Sequence, residues 1–414
     1  MRQIQTNRLF DTTRRIILTT QGSRTDWVSP LCILLLAIIG EFFIYSAQAF
    51  VGGQYWIRQI VWLILGSGVY VVVSRIDYKI LMENAFWFYF ASILLLLLIW
   101  SPIGVQREGA RRWLNFGLMA FQPAEAAKVS VTIMIASILA RSEVGTIRQS
   151  LLALGKVFLV TAIPMVLIFA QPDLGSCLII PPTMLALLYV SKLSQRFFLA
   201  VFAVILVGGI ILGIDFFRYS QFLKENALTA HEARGAYQET SWVPLRDYQR
   251  ERIMTFIAPE IVDPRGTGSA WNANQAQQAV GTGGLTGKGW QQGLQARLGY
   301  LPRSVAHNDF IFAVLAEEKG FIGGLSVIGL FSLLLANGVR IASAARDRFG
   351  MLLAVGVTVI FTIHVFINIG MSIGLTPITG LPLPFLSYGG SFILSCCFLQ
   401  GILQSIHRHR RAFL

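Results

Sequence analysis

The chain has 414 residues, 54% of them hydrophobic and only 13% charged, with a mean hydropathy of +0.61. Soluble domains do not reach such values, which excludes them and makes this an integral membrane protein. Formal net charge is +13, from 34 Lys and Arg against 21 Asp and Glu; in a chain this apolar, such an excess anchors cytoplasmic loops more often than it binds nucleic acid.

Residues 1–26 carry Arg2, Arg8, Arg14, Arg15 and Arg24, and an apolar run follows from 28 to 47. It ends in Ala47-Gln48-Ala49, which has the form of a signal-peptidase site, but the run is long enough to span and many more follow, so it reads as the first span. Glu41 inside it has no role that the sequence assigns. Further runs lie near 55–74, 80–100, 122–140, 157–171, 174–191, 197–215, 311–339, 351–374 and 387–406. The fifth run, 157–171, is short for a hydrocarbon core of ~30 Å.

With the N-terminus in the cytoplasm, the connections on that side hold Arg75, Lys79, Arg141, Arg148, Lys156, Lys192, Arg196, Arg340, Arg346 and Arg348, and the tail adds Arg408, Arg410 and Arg411. The short external connections 48–54, 172–173 and 375–386 hold neither Lys nor Arg. This asymmetry predicts an all-α polytopic membrane protein of ten transmembrane helices with both termini cytoplasmic. The chain divides into a basic N-terminus (1–26), spans one to seven (27–215), a large extracytoplasmic loop (216–308), spans eight to ten (309–406) and a basic tail (407–414). The four cysteines, Cys32, Cys177, Cys396 and Cys397, all fall in apolar runs and read as buried thiols, with no disulfide framework and no metal-ligand spacing.

Two external segments are more than connections. Residues 101–121 place Arg107, Arg111 and Arg112 on the outer side beside Trp113. The loop 216–308 is far longer than a connection needs, and Trp242, Tyr248, Trp271, Trp290 and Tyr300 give it more aromatics than a disordered spacer carries. It is expected to form short interfacial helices and glycine turns over the outer face of the bundle.

Several polar residues sit where they are costly. Arg58 lies inside the second span, and a buried arginine needs an anion, either a carboxylate or a substrate phosphate. QPAEAAKVS, 122–130, reads as a helix start with Pro123 in its first turn and Glu125 at the positive end of the dipole. Glu125 and Lys128, three apart, share a face, either as an internal ion pair or as part of a polar cavity. In QPDLG, Asp173 either caps the sixth span or belongs to the site. GTGGLTGKG, 281–289, is not a Walker motif; a flexible turn is the plainer reading and a backbone anion cradle the alternative.

The stretch LPRSVAHNDFIFAVLAEEKG, 301–320, joins the polar loop to an apolar helix with Asp309 at the seam. A carboxylate there is a functional-site candidate, and the plain alternative is that Asn308 or Asp309 caps the helix. The segment 376–391, TPITGLPLPFLSYGGS, is too rich in proline to be helical, so it is a re-entrant or surface loop, allowed at depth only where it lines protein or water. No Ser-His-Asp or zinc-ligand arrangement is evident among the scattered histidines His231, His307, His364, His407 and His409.

Together and in order, YWIRQIVWLILG, GARRWLNFG with QPAEAAKVS, QPDLG, GTGGLTGKGW with NDFIFAVLAEEKGFIGG, and PITGLPLPFLSYGGS resemble the SEDS family (shape, elongation, division and sporulation) over nearly the full length. LRDYQRERIMTF and Thr379, where the division branch usually has lysine, look like the rod-shape branch. The resemblance implies a peptidoglycan glycosyltransferase of the bacterial inner membrane that polymerises lipid II, an undecaprenyl-pyrophosphate disaccharide pentapeptide, on the periplasmic side. Its partner would be a class B penicillin-binding protein that crosslinks the product, touching the later spans and outer loop.

The family's essential acid falls on Asp309. The family pattern before it runs Leu-Pro-Glu, two residues, then Thr-Asp; here Arg303 replaces the glutamate, two residues are inserted, and Asn308 stands for threonine. Glycosyl transfer from a pyrophosphate donor needs a base for the acceptor hydroxyl and cations for the leaving group. Asp309 is then the base, with Arg58, Arg112 and Lys128 as anion-binding candidates. A divalent cation, magnesium or manganese, would be held with help from Glu125 or Asp309, and Asp173, Lys288 and Ser387 complete the expected substrate-binding set. Two rival readings use the same residues: a lipid II flippase with Arg58, Glu125 and Lys128 along its path, and a non-catalytic scaffold of the elongation machinery.

Overall fold

The computed structural model describes residues 25–410 except 50–52, 108–109, 118–119, 143–146, 192, 194, 227, 229–231, 234, 238–240, 244 and 303. Of the residues singled out above, Arg2, Arg8, Arg14, Arg15, Arg24, Lys192, His231, Arg303 and Arg411 lie outside the described residues.

Each apolar run becomes a helix. The first half of the chain gives α1 (Val28–Gln48), α2 (Tyr55–Arg75), α3 (Lys79–Glu83), α4 (Ala85–Leu98), α5 (Pro123–Arg141), α6 (Ile147–Ala170), α7 (Leu174–Val190) and α8 (Gln195–Glu225). The outer loop holds α9 (Asp247–Ile257), α10 (Pro259–Val262), α11 (Trp271–Thr282) and α12 (Leu294–Arg297), and α13 (Ile311–Ser343), α14 (Arg348–Ser372) and α15 (Gly390–Arg408) follow. Eight of the described helices are long and apolar enough to cross a membrane; α4 and α7 are apolar but shorter.

The structure departs from the sequence reading in four places. The third run is broken at Asn84, whose side-chain amide and backbone N–H both donate to the Ile80 carbonyl, each at 3.0 Å, the local competition with helix that asparagine favours. The fifth run is not short, because α6 begins at Ile147, and Arg148, Gln149, Ser150 and Lys156 interrupt the apolar signal of its first turns. The seventh span does not stop at 215, since α8 continues to Glu225. Nor is the chain strictly all-α: β1 (Gly104–Arg107), β2 (Ala110–Asn115) and β3 (Ala120–Phe121) form an antiparallel sheet in the order β1-β2-β3. Val105 pairs with Trp113 and Leu114 with Phe121, in strands too short for their alternation to stand out.

The core is built around α5, which packs against α4, α6, α7, α14 and α15. On its far side α15 lies close along α2, where a Cβ on Gly401 would press on the Tyr70 carbonyl and Val73; small residues allow such close helix approach in membranes. Asp26, just before α1, accepts from Asn337 at 2.7 Å and pairs with Arg340 at 2.8 Å, joining the start of α1 to the end of α13. Burial pushes the Asp26 carboxyl up, and hydrogen bonds from Ser29 and Asn337 more than offset this, leaving it below its ordinary value.

By contrast, no residue in the apolar window of α8 is buried, and its principal partner is α10. Its C-terminal turns carry Tyr219 and Leu223 into a second small core with Tyr237, Met254 and Val262. At the centre lies Arg250, 0% exposed. It pairs with Asp215 at 2.8 Å and Asp247 at 3.1 Å, donates to Ser241 Oγ and the Leu245 and Val243 carbonyls, and lies over the Tyr237 ring.

The glycine-rich stretch 281–289 is neither a flexible turn nor an open anion cradle. At Gly320 (φ 64°, ψ −161°) α13 is kinked, a conformation essentially restricted to glycine. The kink separates the Glu317 and Glu318 carbonyls from the Phe321 and Ile322 amides that a regular helix would give them. The stretch fills the gap: Lys288 and Gly289 N–H donate to Glu317 O and Glu318 O at 3.0 Å each, and Phe321 and Ile322 N–H donate to Gly284 O at 2.8 Å and Leu285 O at 3.1 Å.

Two outcomes follow from these two joints. Gly320→Ala puts a Cβ against Leu285 and Gly287 and costs about 1–3 kcal/mol, measurable as a lowered thermal midpoint in detergent; an unchanged midpoint would show that the kink is not strained. Arg250→Met strands two buried carboxylates and costs about 3–5 kcal/mol locally. Hydrogen exchange should then rise across 215–262 while α5 keeps its protection.

Candidate functional site

Pro377, Pro382 and Pro384 deny the segment 376–391 a helix, yet Leu381, Leu383, Phe385, Leu386 and Ser387 are all buried. It is therefore not a surface turn, and its backbone groups need partners inside the protein. Neighbouring helices and the segment before α13 supply them. Gln59 of α2 donates to Ser387 O at 3.1 Å and accepts from Gly389 N–H at 3.2 Å. Asn368 of α14 donates to Leu381 O at 2.7 Å, and His364, one turn earlier, lies 3.1 Å from Pro382 O through Nδ1. Ser387 Oγ accepts from Leu383 N–H at 2.8 Å and donates to Asn308 O at 2.5 Å, while Tyr388 N–H donates to His307 O at 3.0 Å.

Asp309 lies within this weave. Its N–H donates to Val305 O at 2.9 Å and its carbonyl accepts from Asn368 Nδ2 at 2.8 Å. The residue is half-buried, and its Oδ2 lies 3.4 Å from where a Cβ on Gly380 would sit, so the carboxylate rests against the proline-rich loop. The capping reading does not hold: the N-cap of α13 is Phe310, with no side-chain cap bond. Neither Asn308 nor Asp309 stands at the N-cap position.

Glu125 is in the first turn of α5 as expected, and Lys128 Nζ reaches its Oε1 at 2.8 Å, both residues being buried. Lys128 Nζ also lies 3.3 Å from His364 Nε2. Pro382 O can only accept, so Nδ1 of His364 carries the proton and Nε2 accepts from the ammonium. A small cavity lined by Glu125, Lys128, His364, Pro384, Phe392 and Cys396 adjoins the trio. Asp173 caps α7, accepting from Ser176 N–H at 3.1 Å and Ser176 Oγ at 2.9 Å. Its Oδ2 also takes Gln122 Nε2 at 2.8 Å. Two residues on, Gly175 backs onto the Thr379 carbonyl. Asp309, Ser387, Glu125, Lys128 and Asp173 thus all belong to helices or turns that touch the 376–391 loop.

The remaining predicted residues do not join them in the same way. Arg58 is not buried; it is exposed, over the Tyr55 ring at 5.8 Å. The inward stripe of α2 is Gln59, Gly66 and Ser74, and Arg58 lies one residue, about 100°, off it. Lys288 pairs with Glu317 at 2.7 Å and donates to Thr282 Oγ1 at 2.8 Å, bracing the kink. Arg112 is half-buried on β2, and its Nε is buried without a partner among the described residues. Its neighbour Arg111 instead holds Ser101 O at 2.6 Å and Gly104 O at 3.1 Å.

Three residues of the site went unnoticed in the sequence: Gln59, His364 and Asn368. The last two are four apart on one helix and so share a face, directly ahead of a proline-rich segment with too few N–H groups to pair its own carbonyls. That pattern was visible. The inward turn of Gln59 showed only in the spacing of Gln59, Gly66 and Ser74.

The ion pair permits a direct check. Lys128→Met should destabilise the protein in detergent by about 3–5 kcal/mol by leaving Glu125 buried alone, and adding Glu125→Gln should recover much of that loss. Strictly additive losses would show that the two side chains do not interact.

The family profile described as cell cycle protein FTSW_RODA_SPOVE matches residues 26–412. Peptidoglycan glycosyltransferase MrdB of Escherichia coli K12 is 36% identical over 381 residues, covering 92% of this chain and 93% of that one. Peptidoglycan glycosyltransferase RodA of Treponema pallidum is 30% identical over 429 residues, covering 92% and 97%. Stage V sporulation protein E of Bacillus subtilis is 32% identical over 414 residues, covering 95% and 100%. Among solved structures, a chain of a peptidoglycan synthase complex that coordinates polymerization and crosslinking superposes with a TM-score of 0.70 at 28% identity, covering 93% and 98%. A mutant of the Thermus thermophilus rod shape determining protein RodA gives 0.64 at 25%, covering 94% and 99%. The match runs through the proline-rich loop, the Asp309 segment and the helices that hold them, and this chain belongs to the FtsW/RodA/SpoVE family.

Proposed function

We propose that this chain is a peptidoglycan glycosyltransferase that polymerises lipid II during cell elongation, with Asp309 as the general base. The activity follows the relatives named above as peptidoglycan glycosyltransferases. The observation that carries the base assignment is the geometry of Asp309. The residue is half-buried and is not the N-cap of α13, and its carboxylate lies against Gly380 of the loop while its backbone is fixed by Asn368.

In that role the carboxylate takes the proton of the acceptor sugar hydroxyl as the new glycosidic bond forms and the pyrophosphate leaves. Arg112, whose buried Nε has no partner among the described residues, is the cation we assign to the pyrophosphate. Lys128 is already engaged by Glu125 and His364, Lys288 by Glu317, and Asp173 and Ser387 by the turns they brace. We assign these four to holding the site in shape. Arg58, exposed in the first turn of α2, is left to meet a headgroup or the pyrophosphate at the membrane surface.

No cluster of three His, Cys, Asp or Glu side chains suited to a metal is found among the described residues. Glu125 is neutralised by Lys128, so the carboxylate that fits a divalent cation is Asp309. A hydrated magnesium or manganese ion can bind through one carboxylate together with a substrate's phosphate oxygens, and when bound it supplies charge to the leaving group.

The Lys and Arg distribution supports ten spans in the inner membrane with both termini in the cytoplasm, which puts Asp309 and the 216–308 loop on the periplasmic side. A class B penicillin-binding protein is the proposed partner, meeting the later spans and that loop; the structural neighbour drawn from a synthase complex supports it.

Asp309→Asn in full-length protein, given purified lipid II with and without that partner, should lower glycan synthesis by about 10²-fold or more. Undiminished strands would remove the base assignment. Lipid II movement across sealed vesicles without glycan product would favour a flippase, and Asp309 variants that keep partner binding and full cell-shape function would favour a scaffold.

A further inference from the structure

The geometry points to Asn368 as the positioning residue for Asp309, the side chain that sets where the base stands. This rests on the general-base reading of Asp309 and adds to it the means by which a loop residue is held in place.

Asn368 is 0% exposed, so it acts through other residues rather than on substrate. Both hydrogens of its Nδ2 are committed, one to the carbonyl of Asp309 itself at 2.8 Å and one to the Leu381 carbonyl at 2.7 Å. Carbonyl oxygens only accept, so the amide can be oriented in one way alone. That orientation leaves Oδ1 buried with no partner among the described residues, an unfavourable arrangement that a leucine of similar volume would avoid. What the amide contributes is the pair of donated bonds.

Those bonds join two pieces of chain that have no regular structure of their own. Residues 304–310 run as successive turns, and Leu381 follows Gly380, the glycine against which the Asp309 carboxylate lies. Asn368 therefore fixes both the backbone that carries the base and the surface on which its carboxylate rests. It does so from α14, a helix of 25 residues, and sites referred to helices are held more exactly than sites on loops. One turn earlier His364 meets Pro382 O, so the same helix face grips the loop at two successive points. Ser387 and Tyr388 hold Asn308 and His307, but their bonds end short of Asp309.

The test uses the full chain reconstituted with purified lipid II, comparing wild type, Asn368→Leu, Asn368→Asp and Asp309→Asn. Displacing a reacting group by about 1 Å costs on the order of 100-fold in rate. Asn368→Leu should therefore lower kcat by about 10–100-fold with KM within about twofold and the protein still folded. Asn368→Asp keeps the shape but has at most one hydrogen to donate where the amide has two, so it too should lower kcat with KM within about twofold, a split that a general loss of fold would not produce. A folded Asn368→Leu protein or a folded Asn368→Asp protein with wild-type kcat would overturn the inference. If Asn368→Leu does not fold, the kcat of the isosteric Asn368→Asp decides the matter. Should Asp309→Asn retain full polymerisation, the base reading fails and this inference with it; an inactive Asp309→Asn beside a wild-type-like Asn368→Leu removes the positioning role alone.

Discussion

Backbone that is neither helix nor sheet can lie inside a membrane bundle only when other groups pair its amides and carbonyls. Here that condition falls on the prolines of 376–391, which remove N–H groups from a buried segment and leave carbonyls to be answered from outside. Gln59, His364 and Asn368 answer them from α2 and α14, and Ser387 turns its hydroxyl to the segment before α13. The consequence is functional as well as structural. The same bonds that make the loop admissible fix the place of Asp309.

The buried charges belong to this arrangement. Glu125 and Lys128 compensate each other within one helix, and His364 carries the contact from Lys128 to the loop through its two ring nitrogens. A continuous set of polar contacts thus runs from the start of α5, through α14, to the loop on which Asp309 rests. Away from it, α8 is different in kind: its apolar window faces outward along its whole length, and its end is held by the Arg250 network of the outer loop instead of by the bundle. The outer arm thus has a small apolar core of its own, built around a buried arginine and separate from the core of the bundle.

Much of this was legible from residue order. Apolar runs located the helices because a span of hydrocarbon thickness leaves a long, uninterrupted signal, and Glu125 with Lys128 announced itself by an i, i+3 spacing. What escaped were features whose determinants are short or distant. The strands of 104–121 are too brief for alternation to show, and Arg58 and Gln59 are adjacent in sequence yet face opposite environments, which only helix phase reveals. The glycines of 281–289 read as a turn because their partners, the carbonyls freed at Gly320, lie across a kink that one positive φ creates. His364 looked like one of several scattered histidines until the loop carbonyls it meets were in view. The Asp309 segment was recognisable, but that Phe310 and not Asp309 takes the N-cap position depended on where α13 begins.

The central claim is that the loop 376–391 and the Asp309 segment are one hydrogen-bonded unit anchored to the helices. Amide hydrogen exchange on Ser387→Ala, in detergent, addresses it most directly. The account predicts that 381–389 in the wild type are protected like α14, and that the variant loses protection in 305–310 and 381–389 together while α14 keeps its own. Exchange that is fast across the loop in the wild type, or that rises in the variant at 381–389 with 305–310 unmoved, would contradict it.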